Sequence, residues 1–181
     1  GAGPVGLSAI ALARASGATR VLAIGGPTRR LEAARAMGAA DVCDVTAVEI
    51  AAREAWVRER TGGRGADVVI EATGVPDAVV QAMRFARDAG RVVIVGQYTD
   101  AGPATFNPHL DLNRKHLDVR GCWGCDFSHV YRSLAYLREG ALGAAWDAIP
   151  LDRFTLETAQ TGIDAVARGE VVKALITPGA K

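Results

Sequence analysis

The sequence offers little to a membrane, a nucleic acid or a disulfide framework. No apolar run reaches the roughly 18 residues a spanning helix needs, and the first segment lacks the basic start and cleavage site of a secretory signal. Basic residues number 21 against 20 acidic ones, a formal charge of +1, so no positive excess is available to neutralise a phosphate backbone or an anionic lipid surface. Neither nucleic acid nor membrane is expected as a partner, and the cytoplasm is the expected compartment. Of three cysteines, Cys43 stands alone, while Cys122 and Cys125 form a C-x-x-C that no second pair or histidine run completes. They read as ordinary small residues at a strand end. His109, His116 and His129 also lack ligand spacing, so no metal ligand is expected in this chain. The 18 arginines against three lysines read as base-composition bias.

What is present is a rhythm. Apolar, β-branched runs begin at residues 20 ("RVLAI"), 41 ("DVCDV"), 66 ("ADVVIEA"), 91 ("RVVIVG") and 118 ("DVRGCWG"), an interval of 21 to 27 residues. That interval fits strand, loop, helix and loop, and nearly continuous apolar strands imply burial on both faces and parallel pairing. Helices are expected between them. The first has Pro4 in its opening turn and Gly17 as a left-handed stop; the second has Thr28 as N-cap and Gly38 as terminator. A third carries Thr46 and Glu49 at capping-box spacing and stops at Gly62. Val79, Ala82, Met83 and Ala86 form one apolar stripe and Val130, Leu134 and Leu137 another, both read as core. The pattern predicts an α/β fold with a doubly wound parallel sheet of Rossmann type. After Gly140 the beat breaks. A short strand near Ala148, a helix over about 156–167 and a closing strand "VVKALITP" read as a tail packing on a neighbouring domain outside this chain, with Leu151 and Phe154 as anchors.

The opening "GAGPVGLSAIALARASGA" carries the chemistry. Gly1, Gly3 and Gly6 match G-x-G-x-x-G, in which the first glycine turns, the second admits a diphosphate against bare backbone and the third lets helix and strand pack closely. A helix starts directly at the motif, so its free N–H groups and dipole would face that diphosphate. A strand should lead into such a turn and none does, so the chain is expected to begin inside a larger protein, with the central first strand missing. Gly74 and Gly96, in "EATG" and "VGQ", fall at later strand ends beside the same crevice. Where an acid would accept the ribose 2′-hydroxyl of NAD, Gly25 and Gly26 stand instead, with Arg29 and Arg30 close by; this favours NADP over NAD.

These blocks, with "RRLEAARAMGA", "GADVVIEATG", "GRVVIVG", "RGCWG" and "GEVVKALITP", together resemble the cofactor-binding half and C-terminal tail of the medium-chain, zinc-dependent alcohol dehydrogenase family. The resemblance implies that Gly1, Gly3, Val5 and Gly6 surround the pyrophosphate, that Gly25 replaces the ribose-binding aspartate and that Arg30 lies near the adenosine ribose. It further implies that Ala72 and Thr73 flank the adenine side and the ribose of the nicotinamide half. Val95, Gly96, Gln97, Cys122 and Trp123 would wall the nicotinamide, and Lys173 would reach back toward the phosphates. Zinc is implied only in an N-terminal domain that this chain does not contain. The expected organisation is a dinucleotide-binding domain over residues 1–125 and a last helix with returning segment over 126–181. The expected activity of the parent is NAD(P)-dependent hydride transfer on a secondary alcohol or polyol, with a homodimer joined through "FNPHLDLNRKHLDVRG". A zinc-free quinone oxidoreductase, a noncatalytic nucleotide-binding module and a methyltransferase are the competing readings; Gly25, where a methyltransferase would usually carry an acid, speaks against the last.

Overall fold

The computed structural model describes residues 1–140 and 143–179. The chain alternates helix and strand from its first turn: α1 (Pro4–Ala15), β1 (Leu22–Gly25), α2 (Thr28–Ala36), β2 (Asp41–Asp44), α3 (Ile50–Arg60), β3 (Ala66–Glu71), α4 (Pro76–Phe85) and β4 (Ala86–Ile94). A wide helical turn (Pro108–Asn113) leads to β5 (Asp118–Gly121) and α5 (Phe127–Arg138), and the tail adds β6 (Leu151–Phe154), α6 (Ala159–Ala167) and β7 (Lys173–Ile176). Every strand pair described is parallel. The order is β1-β2 in one sheet, β3-β4-β5 in a second and β6-β7 in a third, so the expected α/β parallel, Rossmann-like architecture is present. No ladder joins β1 to β3 among the described residues; the glycine turn lies there instead, with the Gly1 nitrogen donating to the Ile24 carbonyl at 2.8 Å.

The first core forms where α1 and α2 cover β1. Leu7, Ile10, Ala23, Ala34, Met37 and the tail residue Val172 are buried together, and Leu7 and Val172 are effectively solvent-free. A second core joins Ala82, Ala86 and Val92, with Val69 and Val119 packed against it. Beneath the end of α4 lies a polar knot around buried Asp111 and Lys115: Arg84 donates to Asp111 at 3.0 Å, while Lys115 Nζ donates to the Met83 carbonyl at 2.6 Å and the Arg84 carbonyl at 3.1 Å. The ammonium there satisfies carbonyls that a helix end leaves open.

Several local expectations are corrected. Gly17 and Gly38 do stop α1 and α2 with φ of +93° and +107°. Pro27, however, is the N-cap of α2, and Thr28 lies inside the helix without a side-chain cap. Thr46 and Glu49 make no capping box, because Asp44 captures both the Thr46 amide and hydroxyl at 2.8 and 2.7 Å and α3 begins only at Ile50. Ala86 starts β4 rather than continuing the stripe of α4. The stripe Val130, Leu134 and Leu137 is not core: no residue of α5 is buried. Residues 143–148 form a helical turn, not a strand, and the strand follows at Leu151. The tail also packs on its own chain, through Val172, while Leu151 stays exposed and Phe154 lies against Gly162. Val68 and Ile70 of β3 are exposed, so that strand is not covered on both faces.

Candidate functional site

The C-terminal ends of β1 and β3 meet the opening turn, and the end of β4 lies against that of β3, the side on which open α/β sheets hold their ligands. Crowding there accounts for the glycines. A Cβ on Gly6 would overlap the Gly1 carbonyl oxygen, and one on Gly1 would stand 2.6 Å from the Ala72 carbonyl, whereas Gly3 faces open space. Only the middle glycine therefore leaves room for a group laid against the backbone. Pro4 has no amide hydrogen and the first intrahelical bond of α1 is Leu7 to Gly3 at 2.9 Å, so the amides of Val5 and Gly6 remain free for an anion.

On the far side, Gly96 is pinned between strand ends. A Cβ there would lie 2.5 Å from the amides of Thr73 and Gly74 and 2.8 Å from a carboxylate oxygen of Glu71. Glu71, which the sequence reading did not select, is the buried tie of this region. Its backbone carbonyl accepts from Val95 at 2.9 Å and Gly96 at 3.0 Å, and its Oε1 accepts from the Thr73 amide at 2.6 Å and hydroxyl at 2.5 Å. The Thr73 hydroxyl in turn accepts from the Val75 amide at 2.9 Å. Glu71 Oε2 and Gln97 Nε2 are buried with no hydrogen-bond partner among the described residues. The sequence signal for Glu71 is an acid that closes the apolar run Val68, Val69 and Ile70 of β3.

Two hollows lie in this region, one beyond the end of β4 and one beside α1. One of about 310 Å³ is lined by Pro76, Val79, Gln97, Tyr98 and Asp100. Above it Trp123 stacks on Tyr98, ring centroids 5.6 Å apart at 17°, and donates to the Tyr98 carbonyl at 3.2 Å; the indole is three-quarters exposed. Cys122 is also exposed, its amide bonded to the Ile94 carbonyl at 3.0 Å. The second hollow, about 320 Å³, brings Pro4 and Ser8 of α1 together with Asp147, Leu151 and Lys173 of the tail. The lysine is thus beside the first turn of α1 although 169 positions separate it from Pro4.

At the β1–α2 loop the arginines are already engaged. Arg29 pairs with Asp152 at 3.0 Å and reaches the Glu170 carbonyl at 3.3 Å, while Arg30 reaches the Val171 carbonyl at 3.4 Å. Both hold the tail. Asp44, at the end of β2, comes beside Gly26 in the same loop; its hydrogen bonds from Thr46 hold its carboxyl below the ordinary range. Sequence order hid it, because it arrives from the neighbouring strand. Among the described residues no group of three or more His, Cys, Asp and Glu could hold a metal ion, so these side chains do not fit a zinc site.

A family model described as "Zinc-binding dehydrogenase" matches residues 4–139. The chain is 32% identical over 181 residues to a 5-exo-hydroxycamphor dehydrogenase of Pseudomonas putida, covering 97% of the chain and 48% of the relative. It is 35% identical over 187 residues to an erythritol/L-threitol dehydrogenase of Mycolicibacterium smegmatis, with 98% and 47% covered. An alcohol dehydrogenase from Thermotoga maritima superposes with a TM-score of 0.86 at 28% identity, covering 98% of this chain and 48% of that one. The chain spans about half the length of the curated relatives it matches.

Proposed function

The chain belongs to the zinc-binding dehydrogenase family, and from that premise we propose that it is the nicotinamide-dinucleotide-binding part of a dehydrogenase acting on a secondary alcohol or polyol. The observation that carries this reading is the hollow in which Pro4 and Ser8 of α1 meet Asp147 and Lys173 of the tail, a cradle that places a cation beside the helix turn bearing the free amides of Val5 and Gly6. The amides of Val5 and Gly6 and the Lys173 ammonium would hold the pyrophosphate, with Gly3 admitting it. Thr73, fixed by Glu71, and the strand end at Val95, Gly96 and Gln97 would orient the ring, and the Tyr98–Trp123 stack would shield it from water. The dinucleotide, when bound, supplies hydride exchange at the nicotinamide. This chain's residues bind and orient, and the described ones offer no metal ligand set.

The substrates named by the relatives, a hydroxycamphor and the polyols erythritol and threitol, share a carbinol carbon and support the alcohol class. Residues 1–125 act as the cofactor unit and residues 126–181 as the returning segment. β5 is the edge of its sheet, which suits pairing with a second copy in a homodimer. The test is titration of the chain with NADH and NADPH, followed by nicotinamide fluorescence. Saturable binding that weakens about 10-fold or more in Lys173→Ala is expected; binding indifferent to Lys173 would remove the cradle from the account.

A further inference from the structure

An acid at the end of β1 would ordinarily take the adenosine ribose, and Gly25 occupies that position. The packing explains the glycine. A Cβ at Gly25 would stand 2.8 Å from the Ala2 Cβ and 2.9 Å from the Ala2 nitrogen, so a carboxylate cannot be placed there without displacing the glycine turn itself. The neighbouring strand supplies one instead. Asp44 is the parallel partner of Gly25, and its Oδ1 lies 3.5 Å from where a Gly26 Cβ would be, on the loop that the ribose must approach. Oδ1 is fixed by the amide and hydroxyl of Thr46, while Oδ2 accepts no hydrogen bond among the described residues. The nearby cations make their hydrogen bonds elsewhere: Arg29 to Asp152, Arg30 to the Val171 carbonyl, and Arg53 to the Val45 and Val48 carbonyls and Gln81 Oε1.

We propose that Asp44 reads the adenosine ribose, accepting from its hydroxyls through Oδ2, and that the chain therefore selects NAD(H) against NADP(H). A 2′-phosphate would meet a like charge, and the guanidinium groups of Arg29 and Arg53 already donate to other partners. This rests on the dinucleotide lying along the crevice, and it reverses the preference for NADP that Arg29 and Arg30 suggest in the sequence.

Asp44→Asn is the discriminating variant, because the amide oxygen still accepts from Thr46 and the turn is kept while the charge is lost. Titrations of the chain with NADH and NADPH should show NADH binding about 10-fold or more tighter, and Asp44→Asn should bring the two within about threefold. Asp152→Ala, which removes the carboxylate that holds Arg29, should tighten NADPH and leave NADH unchanged. Equal affinity for both dinucleotides in the unaltered chain, or an unchanged ratio in Asp44→Asn at an unchanged melting temperature, overturns the assignment while the dinucleotide site stands. Binding of neither overturns the assignment together with the reading beneath it.

Discussion

At the scale of single residues, space and charge act separately. Gly96 is a matter of space: a methyl group there meets two backbone amides, which cannot swing aside as a side chain would. Gly96→Ala is expected to push the ends of β3 and β4 apart and weaken NADH binding about 10-fold or more, as fluorescence titration would register. Asp111 is a matter of charge. The hydrogen bond from Arg84 holds its carboxyl below the ordinary value of 3.8, against the opposing effect of burial. Its stabilisation is therefore complete above the unfolded value and disappears as pH falls through the folded one. Asp111→Asn should lower stability by about 1 to 2 kcal/mol at pH 7, a range set by a charged hydrogen bond whose arginine is half-exposed. The gap to the unaltered chain should narrow as denaturation is followed to pH values below the unfolded one. Sequence spacing made the glycines legible because a turn constrains consecutive positions. It did not reveal Asp44, Asp152 or Glu71, whose roles come from strands and a tail that meet only after folding.

At the scale of elements, periodicity located every strand of the repeating beat, and glycine located the stops of α1 and α2. It could not say which apolar faces are covered. Apolar residues recur on both α1 and α5, yet Leu7 is sealed beneath the tail while Leu134 is 60% exposed. Helix starts were also misjudged at α2 and α3, because a threonine's hydroxyl bonds whichever neighbour the turn brings closest, here Asp44 for Thr46. The two helices should therefore respond oppositely to substitution. Leu7→Ala is expected to cost about 2 to 5 kcal/mol in denaturant unfolding, through lost burial and a residual cavity. Leu134→Glu should change the stability of this chain by no more than about 0.5 kcal/mol.

At the scale of the whole molecule, β5 lies at the edge of its sheet among the described residues. The Cys122 amide bonds back to β4, and amides alternate in direction along a strand, so those of Val119 and Gly121 point outward. Val119→Pro removes an outward donor while sparing the ladder to β4, and sedimentation should show a dimer reduced to monomer; unchanged association would rule this edge out. Chelation is expected to leave NADH affinity untouched, since the described side chains offer no metal ligand set. The hollow shared by Pro4, Ser8 and Lys173 joins the two extremes of the sequence. Amide hydrogens over residues 171–176 should accordingly exchange with deuterium more slowly once nucleotide fills the opening turn, so that occupancy near one terminus can be timed by mass spectrometry at the other.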